Sequence, residues 1–232
     1  HRDLHSFPTR RSSELARKLN AEAVGILAAE AQRVGAGLVH YSTDYVFDGE
    51  QSRPYTEEDV PRPLNVYGRT KLEGDRAIAA VGVPHLILRL AWLYGWHGRN
   101  FLLTIRRLAA AGRSLRVVDD QVGCPTWSRV AAETTVAILR QVLPPTPRVT
   151  LREVSGVYHA VCAGATSWYG LARACLPPTV PVQPISSAAY GARARRPAYS
   201  VLDCRKLRET FGLTMPPWDE ALRHCLAEEP RG

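Results

Sequence analysis

The chain has 232 residues, 45% hydrophobic and 22% charged, enough to bury one sizeable core with an ordinary water-soluble composition. No apolar run reaches membrane-spanning length and no charged segment leads into an apolar signal region, so a cytoplasmic location without a membrane partner is expected. The net charge of +8 comes from basic residues scattered along the chain, with no aromatic-flanked basic stripe, which argues against a nucleic-acid partner.

Residues 1–14 stand apart. His1-Arg2-Asp3-Leu4 has the start of a kinase catalytic-loop pattern, but Pro8 occupies the place where that pattern needs Asn. His5 to Ser13 resembles one reading frame of a sequencing-adapter oligonucleotide, so residues 1–14 are read as a non-native leader. Residues 15–34 have apolar positions near a 3.6 period and predict a helix, ended by Gly35 and Gly37. Leu38–Tyr41 is a predicted strand, followed by a long loop over 42–65 that holds Pro54, Pro61 and Pro63. A helix is predicted over 66–81, a continuous apolar strand over His85–Leu90, and a helix over Asn100–Ala111 with Asn100 as N-cap. Leu115–Val118 reads as a strand and Thr126–Val142 as a helix closed by Pro144 and Pro145. After a linker over 144–156 come a strand at Val157–Val161, a helix at Ser167–Leu176, a strand at Pro181–Ile185, and short helices at Lys206–Phe211 and Asp219–Ala227. Strands alternating with helices, some apolar on both faces, imply an α/β fold with an open parallel sheet covered on both sides.

Five cysteines, at 124, 162, 175, 204 and 225, are odd in number and form no Cys-x-x-Cys. That spacing suits a reducing compartment rather than a disulfide framework, and with the scattered histidines it predicts no metal site. The densest basic patch, Gly191 to Pro197, reads either as a solvated loop or as a clamp on an anionic, diphosphate-bearing ligand.

The chemistry gathers around Tyr41-Ser42-Thr43-Asp44-Tyr45 and Tyr67-Gly68-Arg69-Thr70-Lys71. Tyr67 and Lys71 are four apart at a helix start and share one face. Ser42 and Thr43 leave the carboxyl end of a strand, where open α/β sheets bind ligands. A phenol beside an ammonium can exchange a proton with an alkoxide near neutral pH, since the positive charge favours phenolate.

Seven segments, from HYSTDYVFDG (40–49) through PLNVYGRTKLEGD (63–75), RLAWLYG (89–95), VVDDQVGCPT (117–126), GVYHAV (156–161) and TSWYGLA (166–172) to ARRP (194–197), resemble the extended short-chain dehydrogenase/reductases. Within them the likeness is to the dTDP-4-dehydrorhamnose reductase family, in family order from about Asn20 to near the C-terminus. The resemblance implies a partial Rossmann-like, doubly wound parallel sheet with a smaller C-terminal substrate-binding part. Residues 15–150 would be the remainder of the dinucleotide-binding domain, and 151–232 the substrate-binding part, with interleaving of the two left open.

It further implies NADPH or NADH as cofactor and a dTDP-linked 4-keto-6-deoxy sugar, dTDP-4-dehydro-6-deoxy-L-mannose, as substrate; a homodimer is compatible. By resemblance Thr43, Tyr67 and Lys71 are the catalytic trio: Tyr67 the general acid, Lys71 lowering its pKa and holding the nicotinamide ribose, Thr43 orienting the carbonyl. Tyr41, Tyr67 and Lys71 fall at cofactor positions, and Thr43, Asp44, Trp92, Arg195 and Arg196 at substrate positions. Trp92 reads equally as core packing after a strand. Another sugar-nucleotide reductase or epimerase, or a non-catalytic reductase-like regulatory subunit, are the alternative readings.

The family opens with a strand, a glycine-rich turn and a helix that cradle the cofactor pyrophosphate. No such glycine pattern precedes the first helix, so roughly 60 residues of βαβ structure are expected to be missing, and the 232-residue chain is expected to be inactive alone, with exposed apolar edges.

Overall fold

The computed structural model describes residues 10–143 and 148–229, with side chains from Ser13 onward. Most of the proposed leader, residues 1–9, and the first part of the linker, 144–147, lie outside the described residues. Arg10–Arg17 (α1), a π-helical turn over Lys18–Glu22, and Ala23–Arg33 (α2) run on as one helix, which thus begins before the predicted start. There follow Leu38–Thr43 (β1), a 3-10 turn at Asp44–Val46, Val66–Val81 (α3), His85–Leu90 (β2) and Leu93–Tyr94 (β3). Next come Phe101–Ala110 (α4), Leu115–Val118 (β4), Val122–Gly123 (β5), Thr126–Trp127 (β6) and Ser128–Val142 (α5). The last part holds Gly156–His159 (β7), Thr166–Ser167 (β8), Trp168–Cys175 (α6), Val182–Ile185 (β9), Ser187–Tyr190 (α7), Arg205–Phe211 (α8) and Trp218–Ala227 (α9).

The main sheet is parallel, in the order β1-β2-β7. β7 comes from beyond the linker, so the C-terminal residues contribute to the same sheet as β1 and β2. The side chains of β2 alternate as a two-residue period requires. Leu86, Leu88 and Leu90 join the large core that includes Ile138 of α5 and Leu171 of α6. Ile87 points the other way, into a smaller core with Val24 and Ala28 of α2 and Ile78 of α3. Helices therefore cover both faces of the parallel sheet, as the alternation of elements predicts.

β1 continues two residues past the predicted end because Ser42 and Thr43 stay in register with Arg89 and Leu90 of β2. The apolar run stops at Tyr41, but sheet pairing does not, so two hydroxyl side chains are carried to the carboxyl edge on rigid backbone. Among the described residues β1 pairs with no strand other than β2. Apolar side chains are exposed on the first helix at Leu15, Leu19, Ile26 and Leu27, in keeping with the expected uncovered surface. The helix predicted from Thr126 starts at Ser128, because Thr126 and Trp127 pair with Leu93 and Tyr94.

Candidate active site

α3 is aimed at the end of β1 by its own start. Asn65 caps it, its side-chain oxygen accepting the Gly68 N–H at 2.9 Å. Gly68 then allows a very close approach: a methyl group there would overlap the backbone carbonyl of Tyr45. The first turn of α3 thus lies directly on the 3-10 turn that follows β1, and Tyr67 is brought to Thr43. Six residues further on, Gly74 lets the backbone of Asn20 in the π-helical turn approach as closely, and the Asn20 amide donates to the Thr70 hydroxyl at 3.0 Å.

Thr43, Asp44, Tyr67 and Trp92 line a single cleft of about 200 Å³, open to solvent at the carboxyl ends of β1 and β2. Four of the sequence-predicted residues therefore meet. The Thr43 hydroxyl donates to Asp44 Oδ1 at 3.1 Å and accepts the Tyr45 N–H at 3.2 Å, and it also interacts with the Tyr67 phenol. Asp44 is buried with its Oδ2 lacking a hydrogen-bond partner. Burial pushes its carboxyl up to about 7, against the opposing hydrogen bonds from Ser200 and Thr43.

Trp92 is neither loose on the surface nor plain core. It has a left-handed backbone, φ 45°, unusual for a bulky residue. Its ring stacks on Trp168 at 3.6 Å with 5° between the planes, and a side chain at Gly123 would collide with it. Trp168, at the start of α6, also lines the cleft. Sequence reasoning passed over Trp168, although an N-cap serine, Ser167, followed at once by two aromatics was a usable signal.

Lys71 is buried beneath this cleft, and its ammonium is turned toward β1. Its ammonium donates to the Tyr41 carbonyl at 2.5 Å and lies 3.0 Å from His40 Nε2. The Tyr67 phenol is not lowered. Burial raises it, Thr43 opposes that, and Asp44 and Asp75 add to it. The expected depression by Lys71 is thus corrected: although Tyr67 is 48% exposed, desolvation of the phenol outweighs the opposing hydrogen bond, and the ammonium is turned toward β1. Burial likewise holds Lys71 below its ordinary value, with Asp75 opposing. The Tyr41 side chain reaches across to α5, its hydroxyl 2.9 Å from that of Thr135, and its ring stays half-exposed.

The Arg195–Arg196 segment sits at the rim. The Asn65 amide donates to the Arg195 carbonyl at 3.0 Å, and Arg196 acts on the buried Tyr45 phenol, opposing the rise caused by burial. The loop is thereby tied to the start of α3, though neither guanidinium lines the cleft.

Against this geometry, comparison with known families gives a match to the RmlD substrate binding domain over residues 7–230. The chain belongs to that family. A dTDP-4-dehydrorhamnose reductase from Burkholderia thailandensis is 43% identical over 224 residues, covering 92% of this chain and 74% of that protein. The enzyme of the same name from Escherichia coli K12 is 38% identical, covering 93% and 73%. Among solved structures, a dTDP-4-dehydrorhamnose reductase from Bacillus anthracis in complex with NADP superposes with a TM-score of 0.86 at 33% identity, covering 94% of this chain and 75% of that one. The family's Rossmann-like parallel sheet and the fold seen here agree.

Proposed function

We propose that the chain carries the catalytic and sugar-binding residues of an NAD(P)H-dependent reductase acting on the 4-keto group of a dTDP-linked 6-deoxy sugar, converting dTDP-4-dehydrorhamnose to dTDP-L-rhamnose. One observation carries this reading: Thr43, Asp44, Tyr67 and Trp92 line one cleft at the carboxyl ends of parallel strands, in a chain 43% identical to a reductase of that name. Ligands bind at that end of open α/β sheets.

The residues present fit the nicotinamide end of such a cofactor. Lys71 spends two N–H groups on His40 and Tyr41, and an ammonium has three. Lys71, Tyr67 and Tyr41 are the residues that would hold NAD(P)H, which supplies a hydride to the sugar carbonyl carbon. The rest of the step belongs to the chain. Thr43 orients the carbonyl oxygen by hydrogen bonding, and Tyr67 gives its proton to that oxygen as negative charge develops. A phenol held above its ordinary value is fully protonated at neutral pH, as a proton donor must be. The phenolate left behind is favoured by the hydrogen bond from Thr43, the one influence on Tyr67 that lowers its pKa. Asp44 receives a sugar hydroxyl, the Trp92–Trp168 stack offers a flat apolar wall, and Arg195 and Arg196 at the rim suit the diphosphate.

The five cysteines are all free thiols, and no helix among the described residues is long and apolar enough to cross a membrane. The free thiols suit a reducing compartment, and we place the protein in the cytoplasm.

The chain spans 74% of the Burkholderia relative, so kinetic tests are best made on a fusion that joins to this chain the remaining part of that relative. That fusion should consume NADPH when given dTDP-4-dehydrorhamnose, as followed by nicotinamide absorbance. No consumption with either NADPH or NADH would refute the reading.

Trp92→Ala should raise the KM for sugar nucleotide by roughly tenfold, the loss of about one stacked aromatic contact, while cofactor affinity measured by fluorescence stays near wild type. Equal loss of both, or loss of the cooperative thermal transition, would return Trp92 to a packing role. Asp44→Asn should remove an inflection near pH 7 from the pH profile of that KM, because the carboxyl loses its proton as pH rises through about 7. An inflection that persists in the variant would contradict the assignment.

A further inference from the structure

The interface between α3 and the sheet is polar just where a core would be apolar. His40 and Ser42 of β1 and Arg89 of β2 meet Lys71 and Asp75 of α3, and Lys71, Asp75, Arg89 and Ser42 are all buried. Tyr67, Lys71 and Asp75 follow one another at four-residue steps, so they form one stripe along the helix. Lys71 Nζ lies 3.0 Å from His40 Nε2. Asp75 Oδ2 accepts the Ser42 hydroxyl at 2.7 Å and lies 3.8 Å from Arg89 Nε, while its Oδ1 is 3.8 Å from His40 Nε2 and has no hydrogen-bond partner. The mechanism above uses none of His40, Asp75 or Arg89.

We propose that His40 and Asp75 are positioning residues for Lys71: His40 Nε2 accepts one ammonium proton and fixes where the ammonium stands, and the Asp75 carboxylate is its buried counter-charge. This rests on the reductase reading only for its catalytic consequence. Burying a cation without hydrogen bonds and a nearby opposite charge is costly; His40 and the Tyr41 carbonyl supply the hydrogen bonds and Asp75, one turn further along α3, the nearby charge. The charged and titratable groups that act on Lys71 are His40 from β1 and Asp75 from α3; Arg89 from β2 acts in turn on Asp75, and Asp44 and Asp75 act on Tyr67. For His40 to accept, its imidazole must be neutral with the proton on Nδ1. Burial and the neighbouring Lys71 hold it so, pushing its pKa down to about 4. Asp75 favours the charged form of Lys71 and the protonated form of Tyr67, so it keeps both groups in the states that reduction requires.

In the fusion, His40→Leu should lower kcat by roughly tenfold to a hundredfold through misplacement of the ammonium, with KM for the sugar nucleotide little changed. His40→Gln, which returns an acceptor at about the same reach, should restore most of the loss. Asp75→Asn should move the alkaline limb of the kcat profile down by about one pH unit, since both Lys71 and Tyr67 then lose their protons earlier. In the 232-residue chain itself, the imidazole titration of His40 followed by NMR should rise toward the ordinary histidine range in Lys71→Met. A His40 titration unmoved by Lys71→Met, or a His40→Leu variant with wild-type kcat and alkaline limb, would overturn the proposal. A wild-type fusion that oxidises no NADPH would overturn the reductase reading instead, and the imidazole titration would still decide this one.

Discussion

Tyr67→Phe in the fusion should lower kcat by about 10²–10⁴-fold, the usual worth of a positioned general acid, with KM for both ligands close to wild type. Phenylalanine keeps the ring, and so keeps the edge-on contact with Tyr45, whose ring centroid is 6.1 Å away. It removes only the proton and the interaction with Thr43. A residue that acts in the transition state alone shows its loss in kcat rather than in KM. The phenol is raised by burial and lies beside a carboxyl near 7. The wild-type kcat should therefore hold up well into the alkaline range before Tyr67 loses its proton. Near-normal turnover in the variant would mean that another group protonates the sugar oxygen.

Gly68→Ala should be almost as damaging, although the residue carries no functional group. A methyl at this position meets the Tyr45 carbonyl, and backbone cannot step aside as the tip of a flexible side chain can. The first turn of α3 must then lift from the turn after β1, carrying Tyr67 away from Thr43. Overpacking of this kind costs about 1–3 kcal/mol of stability, and a displacement of about 1 Å at the reacting groups can cost on the order of a hundredfold in rate. The variant is expected to stay folded, with a lowered Tm and kcat down by about that factor. A wild-type kcat would show that the close approach is incidental.

These two residues also mark what a single sequence discloses. Tyr67 and Lys71 announce themselves by a four-residue spacing at a helix start, and Asn100 caps its helix as predicted. The apolar run from His85 to Leu90 is a strand of the stated length. What stayed hidden depends on contacts between distant segments. Asp75 reads as one more acid on an amphipathic helix until Arg89 and Ser42 are found opposite it, although its place two steps of four beyond Tyr67 was a signal within reach. Gly68 looks like a dispensable glycine until Tyr45 is seen against it. β3, β5, β6 and β8 are two residues each, too short for any period to show, and their pairing alone defines them. The sense of the Tyr67 shift was missed for a related reason. Spacing puts an ammonium on the right face, but desolvation by the cleft and the direction in which Lys71 points are properties of the assembled fold.

The most direct test of the account follows a labelled hydride. NADPH carrying deuterium at the transferable nicotinamide position is incubated with dTDP-4-dehydrorhamnose and the fusion, and the sugar nucleotide is examined by proton NMR. The account predicts deuterium at C4 of the product 6-deoxy sugar, one label per cofactor oxidised, and loss of that transfer in Tyr67→Phe. Deuterium at another carbon, label reaching the sugar without net oxidation of the cofactor, or no transfer at all with either nicotinamide cofactor would contradict it.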